Sequence, residues 1–248
     1  MSKNRLLCLN LFFIFLSIVF MLSCSKDPVT TEKKSDALET GAVTDIDGNV
    51  YQTVKIGGQW WMAENLKTTR YRNGDALLKV THSSEWAGLE SGAFCSYNND
   101  DSNVSTVGLL YNWYAVDDNR NIAPVGWHVP TDAELKELEI YLGMEQSDVN
   151  RTGFWRGADQ GLKLKQTGAT HWNSPNNGTN ESGFSALSSG SRSYAGTFAD
   201  MGATAFYWSS TPSGSDRAWY RLLNNSLPGV FRYQREIRNG YSVRCIKN

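Results

Sequence analysis

A chain of 248 residues with 24 Lys and Arg against 25 Asp and Glu has a net charge of −1, without the basic excess that nucleic-acid binding requires. The three histidines, His82, His128 and His171, stand far apart and lack zinc-ligand spacing, which argues against a zinc hydrolase. Nine Trp, eleven Tyr and ten Phe supply ample core material for one domain.

Residues 1–23 read as a lipoprotein signal peptide: Lys3 and Arg5 form a basic start, Leu6 to Leu22 is apolar apart from Asn10 and Ser17, and Ser23 precedes Cys24. Cleavage there leaves Cys24 at the new N-terminus, thioether-linked to diacylglycerol, and predicts an exported protein lipid-anchored to the bacterial outer membrane. The apolar run is short of the ~20 residues of a spanning helix. Removing residues 1–23 takes away two cations and no acids, leaving 22 cations against 25 anions and a net charge of −3. Residues 24–43 are polar at first and carry no apolar period, which predicts a flexible tether. Residues 44–248 then form one domain.

Within that domain Val50, Gln52, Val54 and Ile56 alternate with Tyr51, Thr53 and Lys55, and Gly57-Gly58 separates them from Gln59-Trp60-Trp61-Met62, which predicts a β-hairpin. Leu109 to Val116 places Leu110, Trp113 and Tyr114 at spacings of three and four, which favours a helix over a strand. A clearer helix starts at Thr131, whose hydroxyl can cap the amide of Glu134; Leu135, Leu138 and Leu142 share one face and Gly143 ends it. Ala218 to Leu223, Val230 to Tyr233 and Tyr241 to Ile246 read as an antiparallel meander. Its arginines, Arg217, Arg221, Arg232, Arg235 and Arg238, are expected on a solvated sheet face.

Several segments resemble one family: Asp45-Ile46-Asp47-Gly48-Asn49-Val50-Tyr51, Trp61-Met62-Ala63-Glu64-Asn65-Leu66, Tyr97-Asn98-Asn99-Asp100, Gly108 to Ala115, Gly126-Trp127-His128-Val129-Pro130-Thr131, Gly183-Phe184-Ser185-Ala186-Leu187, Tyr207-Trp208-Ser209-Ser210-Thr211 and Gly240 to Ile246. Together they resemble the Fibrobacter succinogenes major paralogous domain, found in bacterial surface and secreted proteins. The resemblance implies an α+β, C-type-lectin-like fold related to formylglycine-generating enzymes, with antiparallel β-sheets, one or two helices and long ordered loops. Those enzymes use a pair of nearby cysteines late in the chain, whereas Cys245 stands alone in its region, so their activity does not carry over.

The remaining candidate chemistries are few. Gly183-Phe184-Ser185-Ala186-Leu187 ends in Leu where a nucleophile elbow needs Gly, which excludes a serine hydrolase of that type. Cys95 and Cys245 are the two thiols left after lipidation, read either as one long-range disulfide or as two buried free thiols. Asn98, Asn99, Asp100 and Asp101 cluster the oxygens a calcium ion prefers, and equally suit a loop with left-handed backbone; Asp45-Ile46-Asp47-Gly48-Asn49 lacks the later ligands of a calcium loop and suits a hairpin turn. His128 reads as a hydrogen-bonded structural residue. Trp86, Trp155 and Trp172 sit in polar contexts and are candidate platforms for pyranose rings, whereas Trp60, Trp61, Trp113, Trp127 and Trp208 read as core. The expected function is non-enzymatic: a recognition module that binds glycan through loops from about Gly143 to Ser182. The alternative is a structural or assembly lipoprotein bound to another envelope protein. No resident cofactor is expected beyond the candidate calcium.

Overall fold

The computed structural model describes residues 37–248, so the signal peptide, Cys24 and the tether up to residue 36 lie outside the described residues. The described chain is α+β, built mostly of antiparallel sheets with few, short helices.

One five-stranded sheet runs in the order β1 (Thr40–Thr44), β2 (Val50–Ile56), β3 (Gln59–Met62), β14 (Ile246–Lys247) and β7 (Trp127–His128). Thr40 to Thr44 pair with Val54 to Val50, so residues 40–43, read from sequence as tether, are part of the sheet. The Asp45 carboxylate closes the β1–β2 turn by accepting the Asp47 and Asn49 amides at 2.9 Å and the Tyr51 hydroxyl at 2.6 Å. Gly48 takes φ +84°, as an Asp-Gly hairpin turn requires. The expected β2–β3 hairpin forms, with Ile56 opposite Gln59 across Gly57-Gly58. Its alternation serves two cores: Tyr51 and Met62 enter one cluster with Tyr111, Trp113 and Trp208, while Val54, Ile56 and Trp61 enter another with Leu135, Leu138 and Phe184.

The larger sheet runs in the order β10 (Phe198–Met201), β9 (Ser189–Arg192), β11 (Thr204–Pro212), β12 (Arg217–Asn224), β13 (Val230–Glu236) and β8 (Trp155–Arg156). A small third sheet joins β4 (Leu78–Lys79), β5 (Ala93–Cys95) and β6 (Leu110–Tyr111). The α-helices among the described residues are α1 (Ser83–Ala87), α2 (Val104–Val107), α3 (Trp113–Asp117), α4 (Asp132–Tyr141), α5 (Gln146–Val149) and α6 (Gln160–Leu164). None is long and apolar enough to cross a membrane.

Helix α4 starts as its sequence requires: Thr131 Oγ1 accepts the Glu134 amide at 3.2 Å, and the Glu134 carboxylate accepts the Thr131 amide at 2.8 Å. Leu135, Leu138 and Leu142 are buried in the second cluster, each worth about 1.5–3 kcal/mol of burial. Gly143 then takes φ +98°, which a side chain would resist.

Two sequence expectations change. Leu109 to Val116 is not one helix: Leu110 and Tyr111 pair with β5, and α3 begins only after Asn112. The Asn112 side chain accepts the Ala93 and Ala115 amides at 2.9 and 3.2 Å, and so caps the helix while holding the strand before it. Nor do the C-terminal segments form one meander. Strands β12 and β13 pair, but Tyr241 and Ser242 make only single bridges, and Ile246 crosses to the other sheet between Trp61 and His128. The C-terminus thereby closes the sheet that β1 to β3 began.

Candidate functional site

Three of the segments that carry the family resemblance meet at the Arg244 side chain, which is 1% exposed. Its Nε donates to Asn65 Oδ1 at 2.8 Å, Nη2 donates to the Ser185 carbonyl at 2.8 Å, and Nη1 donates to the Phe184 carbonyl. The guanidinium also lies 4.4 Å from the centre of the Phe184 ring. Asn65 donates in turn to the Val107 carbonyl at 2.8 Å. Similar indole anchors join distant segments: Trp208 Nε1 to the Tyr111 carbonyl at 2.9 Å, and Trp113 Nε1 to the Ser209 carbonyl at 2.8 Å. These residues hold the core together and present no reactive group to solvent.

Beside this keystone, the expected solvated arginine face gives way to a buried ion network. Arg221 and Arg232 are 3% and 5% exposed because β12 and β13 turn them toward α4. Arg221 donates to Asp132 at 2.8 Å and to Glu139; Arg232 grips Asp132 at 2.7 and 2.8 Å; Arg156 grips Glu139 at 2.8 and 3.0 Å. Arg232 is also stacked 3.7 Å from the centre of the Trp219 ring. Arg217, Arg235 and Arg238 stay at least partly exposed, as expected of a sheet surface.

Burial alone would push the Asp132 carboxyl up, yet the Arg232 and Arg221 guanidiniums and the Lys136 ammonium hold it well below the usual carboxylate range. A carboxyl depressed on folding contributes stability above its unfolded value, near pH 4, and loses it as pH falls toward the folded value. Stability is therefore expected to fall steeply below about pH 4. In an Asp132→Asn protein the neutral-pH stability should be lower and the acid limb flatter, read by urea unfolding from pH 2 to 7. Parallel acid limbs in both proteins would show that the network contributes nothing to the pH dependence.

The other predicted positions separate. Trp86 and Trp172, nominated as exposed platforms, are 0% and 1% exposed. Each indole N–H is spent on a backbone carbonyl, Trp86 on Arg238 at 2.8 Å and Trp172 on Ala186 at 3.0 Å, and Arg192 lies 4.4 Å from the Trp86 ring centre. Trp155 remains at the surface, half-buried on the edge strand β8. Cys95 and Cys245 are two buried free thiols in different core clusters, the second of their two sequence readings and a correction to the disulfide. Burial pushes the Cys95 thiol up to about 11, so neither reactivity nor exposure marks it as a nucleophile. His128 bridges Asn248 Oδ1 at 2.7 Å and Glu134 Oε1 at 2.8 Å, tying the C-terminus to the α4 cap.

The Asn98 to Asp101 loop takes the left-handed reading, with φ of 56° at Asn98 and 57° at Asn99. Its carboxylates are already engaged: Asp101 accepts Lys79 Nζ at 2.6 and 2.8 Å and Ser96 Oγ at 2.9 Å, and Asp100 accepts the Ser102 amide at 3.0 Å. Among the described residues no three His, Cys, Asp or Glu side chains come together as a metal-binding group.

At the edge of the large sheet, partly buried aromatic rings that pack against the first core cluster reach the surface. On the β8 edge Trp155 stands opposite Phe231, their ring centres 5.5 Å apart, and Tyr233 follows two residues along β13 with its ring 6.2 Å from Phe231. Alternation puts Trp155, Phe231, Tyr233 and Arg235 on one face, opposite to Arg232. All three rings are half-buried and Arg235 is exposed. Sequence reading missed Phe231 and Tyr233 as companions of Trp155 because the pairing spans some seventy-five residues; the available signal was their period of two in β13.

No curated protein and no solved structure matches the chain. Over residues 54–247 it matches the family model described as the Fibrobacter succinogenes major domain, and it belongs to that family.

Proposed function

We propose that this is a non-enzymatic recognition module of the cell envelope, lipid-anchored through Cys24 to the outer membrane, whose ligand is a glycan. The observation that supports it is the row of Trp155, Phe231 and Tyr233, three partly buried rings at the edge of the first core cluster, on one sheet face with the exposed Arg235. Aromatic faces take the apolar faces of pyranose rings, and neighbouring polar side chains then fix the hydroxyls. The fold is of the C-type-lectin-like kind in this reading, supported by the meeting of β14 with β3 near the start of the domain.

The test is a screen of the chain on arrays of plant, mucin and bacterial envelope glycans, with calcium and with chelator. Trp155→Ala and Tyr233→Ala should each weaken a selective interaction by about 2 kcal/mol, roughly thirtyfold. A blank array in both conditions would overturn the glycan reading. An assembly lipoprotein that binds another envelope protein is the second reading, supported by Ile140 and Tyr141, 41% and 64% exposed at the end of α4. A stoichiometric crosslinked protein partner would select it.

A further inference from the structure

A second surface feature has different chemistry from the platform. Asn103, Thr106, Thr170, His171 and Asn173 rim a groove of about 290 Å³, whose remaining lining includes Val107, Trp172 and Met201. Val107 and Trp172 are almost fully buried beneath the groove, while Thr106, Thr170 and Asn173 are exposed. Among the described residues no Asp, Glu, Lys or Arg lines it.

The rim groups are held without being consumed. Gln166 Oε1 accepts a hydrogen bond from His171 Nδ1–H over 2.8 Å, which fixes the imidazole and leaves Nε2 without a partner among the described residues. The Asn173 backbone is pinned from both sides: its amide donates to the Gly202 carbonyl at 2.6 Å, and its carbonyl accepts Asn225 Nδ2 at 3.2 Å. Its side-chain amide has no partner among the described residues and lies against Gly202. A Cβ at Gly202 would sit 2.6 Å from Asn173 Oδ1, and φ there is +84°, so glycine keeps this wall of the groove in place. The hydroxyls of Thr106 and Thr170 are likewise uncommitted among the described residues.

We infer that this groove is a binding site for a neutral saccharide residue, with Thr106, Thr170, His171 and Asn173 hydrogen-bonding its hydroxyls. An uncharged rim does not repay the desolvation of an ionic ligand, whereas hydroxyls find both donors and acceptors there. The non-enzymatic reading is kept for this groove, since no carboxylate lines it among the described residues to serve the acid–base pair of glycoside hydrolysis. The inference rests on the glycan reading, at a site separate in sequence from the platform residues.

The decisive experiment follows the imidazole signals of His171 and the indole signals of Trp155 by NMR in the whole chain. The probes are glucose, xylose, N-acetylglucosamine and their β-1,4-linked disaccharides, each taken to about 20 mM. A saturable shift of the His171 ring that Asn173→Ala weakens by about tenfold establishes the groove. A circular dichroism melt of that variant matching the parent shows that the loss is local. If no probe moves His171, the groove inference is overturned; if Trp155 alone moves, the glycan reading survives without it. A His171 response with Trp155 silent keeps the groove and overturns the platform. Gly202→Val, which pushes into Asn173, should abolish the His171 response, and unchanged binding in that variant would place the sugar elsewhere.

Discussion

Replacing Glu139 with alanine is expected to destabilise the domain by about 3–5 kcal/mol, measured by urea unfolding at pH 7. The carboxylate is 2% exposed and serves two guanidiniums: Arg156 by a two-bond grip and Arg221 through Nε. Without it, Arg156, fully buried, keeps only the Val149 carbonyl at 2.8 Å and a long contact to Met144 sulfur among its partners. An unpaired buried cation is the costly state, more so than the loss of any one bond. The double variant Glu139→Met with Arg156→Met should therefore cost less than the sum of its single variants, with a coupling of about 1–3 kcal/mol. Glu137→Ala, two residues away on the exposed side of α4 and bonded among the described residues only to Gln59, is the control and should change stability by under about 0.5 kcal/mol. A loss below about 1 kcal/mol for Glu139→Ala would mean that water reaches the cluster and that the ion pairs are not holding α4 to the large sheet.

Helix α4 shows what a sequence displays and what it hides. Its cap, its leucine face and its stop are all written within thirteen residues, and each appears in the structure. The β2–β3 hairpin was legible for the same reason, since register and turn lie within one short segment. The arginines were misread because their partners are 89 and 100 residues away, and an arginine in a polar strand is ordinarily solvated. A local clue existed: Asp132 and Glu139 are seven residues apart and share the helical face of Leu135 and Leu142, so two acids interrupt an apolar stripe. Buried acids on such a stripe demand buried cations. Trp86 and Trp172 were misplaced by a related error, because polar flanking residues say little about an indole whose N–H finds a backbone acceptor in a long loop. The platform was only half visible: Trp155 was nominated, and its companions came from strand pairing. The groove beside His171 was not visible at all, because its rim brings together residues 103–106, 170–173 and 201–202.

The second large effect is expected at Arg244. Substituting methionine preserves much of the volume and removes the donors to Asn65, Phe184 and Ser185, three acceptors in the interior. Each buried acceptor left without a donor costs about 1–3 kcal/mol, so the domain should lose about 3–5 kcal/mol and melt roughly 10 °C or more below the parent. Arg244→Lys retains the charge but has no planar fork, and cannot reach three divergent acceptors while lying over Phe184; it should recover only part of the loss. If lysine restored full stability, charge rather than direction would be what the site needs. The contrast with the surface variants then becomes informative. Arg244 closes three of the segments by which the family is recognised, so changes there should reduce the folded population and leave the ligand preference of the surviving molecules unaltered. Trp155, His171 and Asn173 stand outside those segments, and changes there should alter binding with the melting temperature nearly unmoved. On the proposed reading the shared segments determine the scaffold, and ligand choice falls to the edge strand and loop residues that they position.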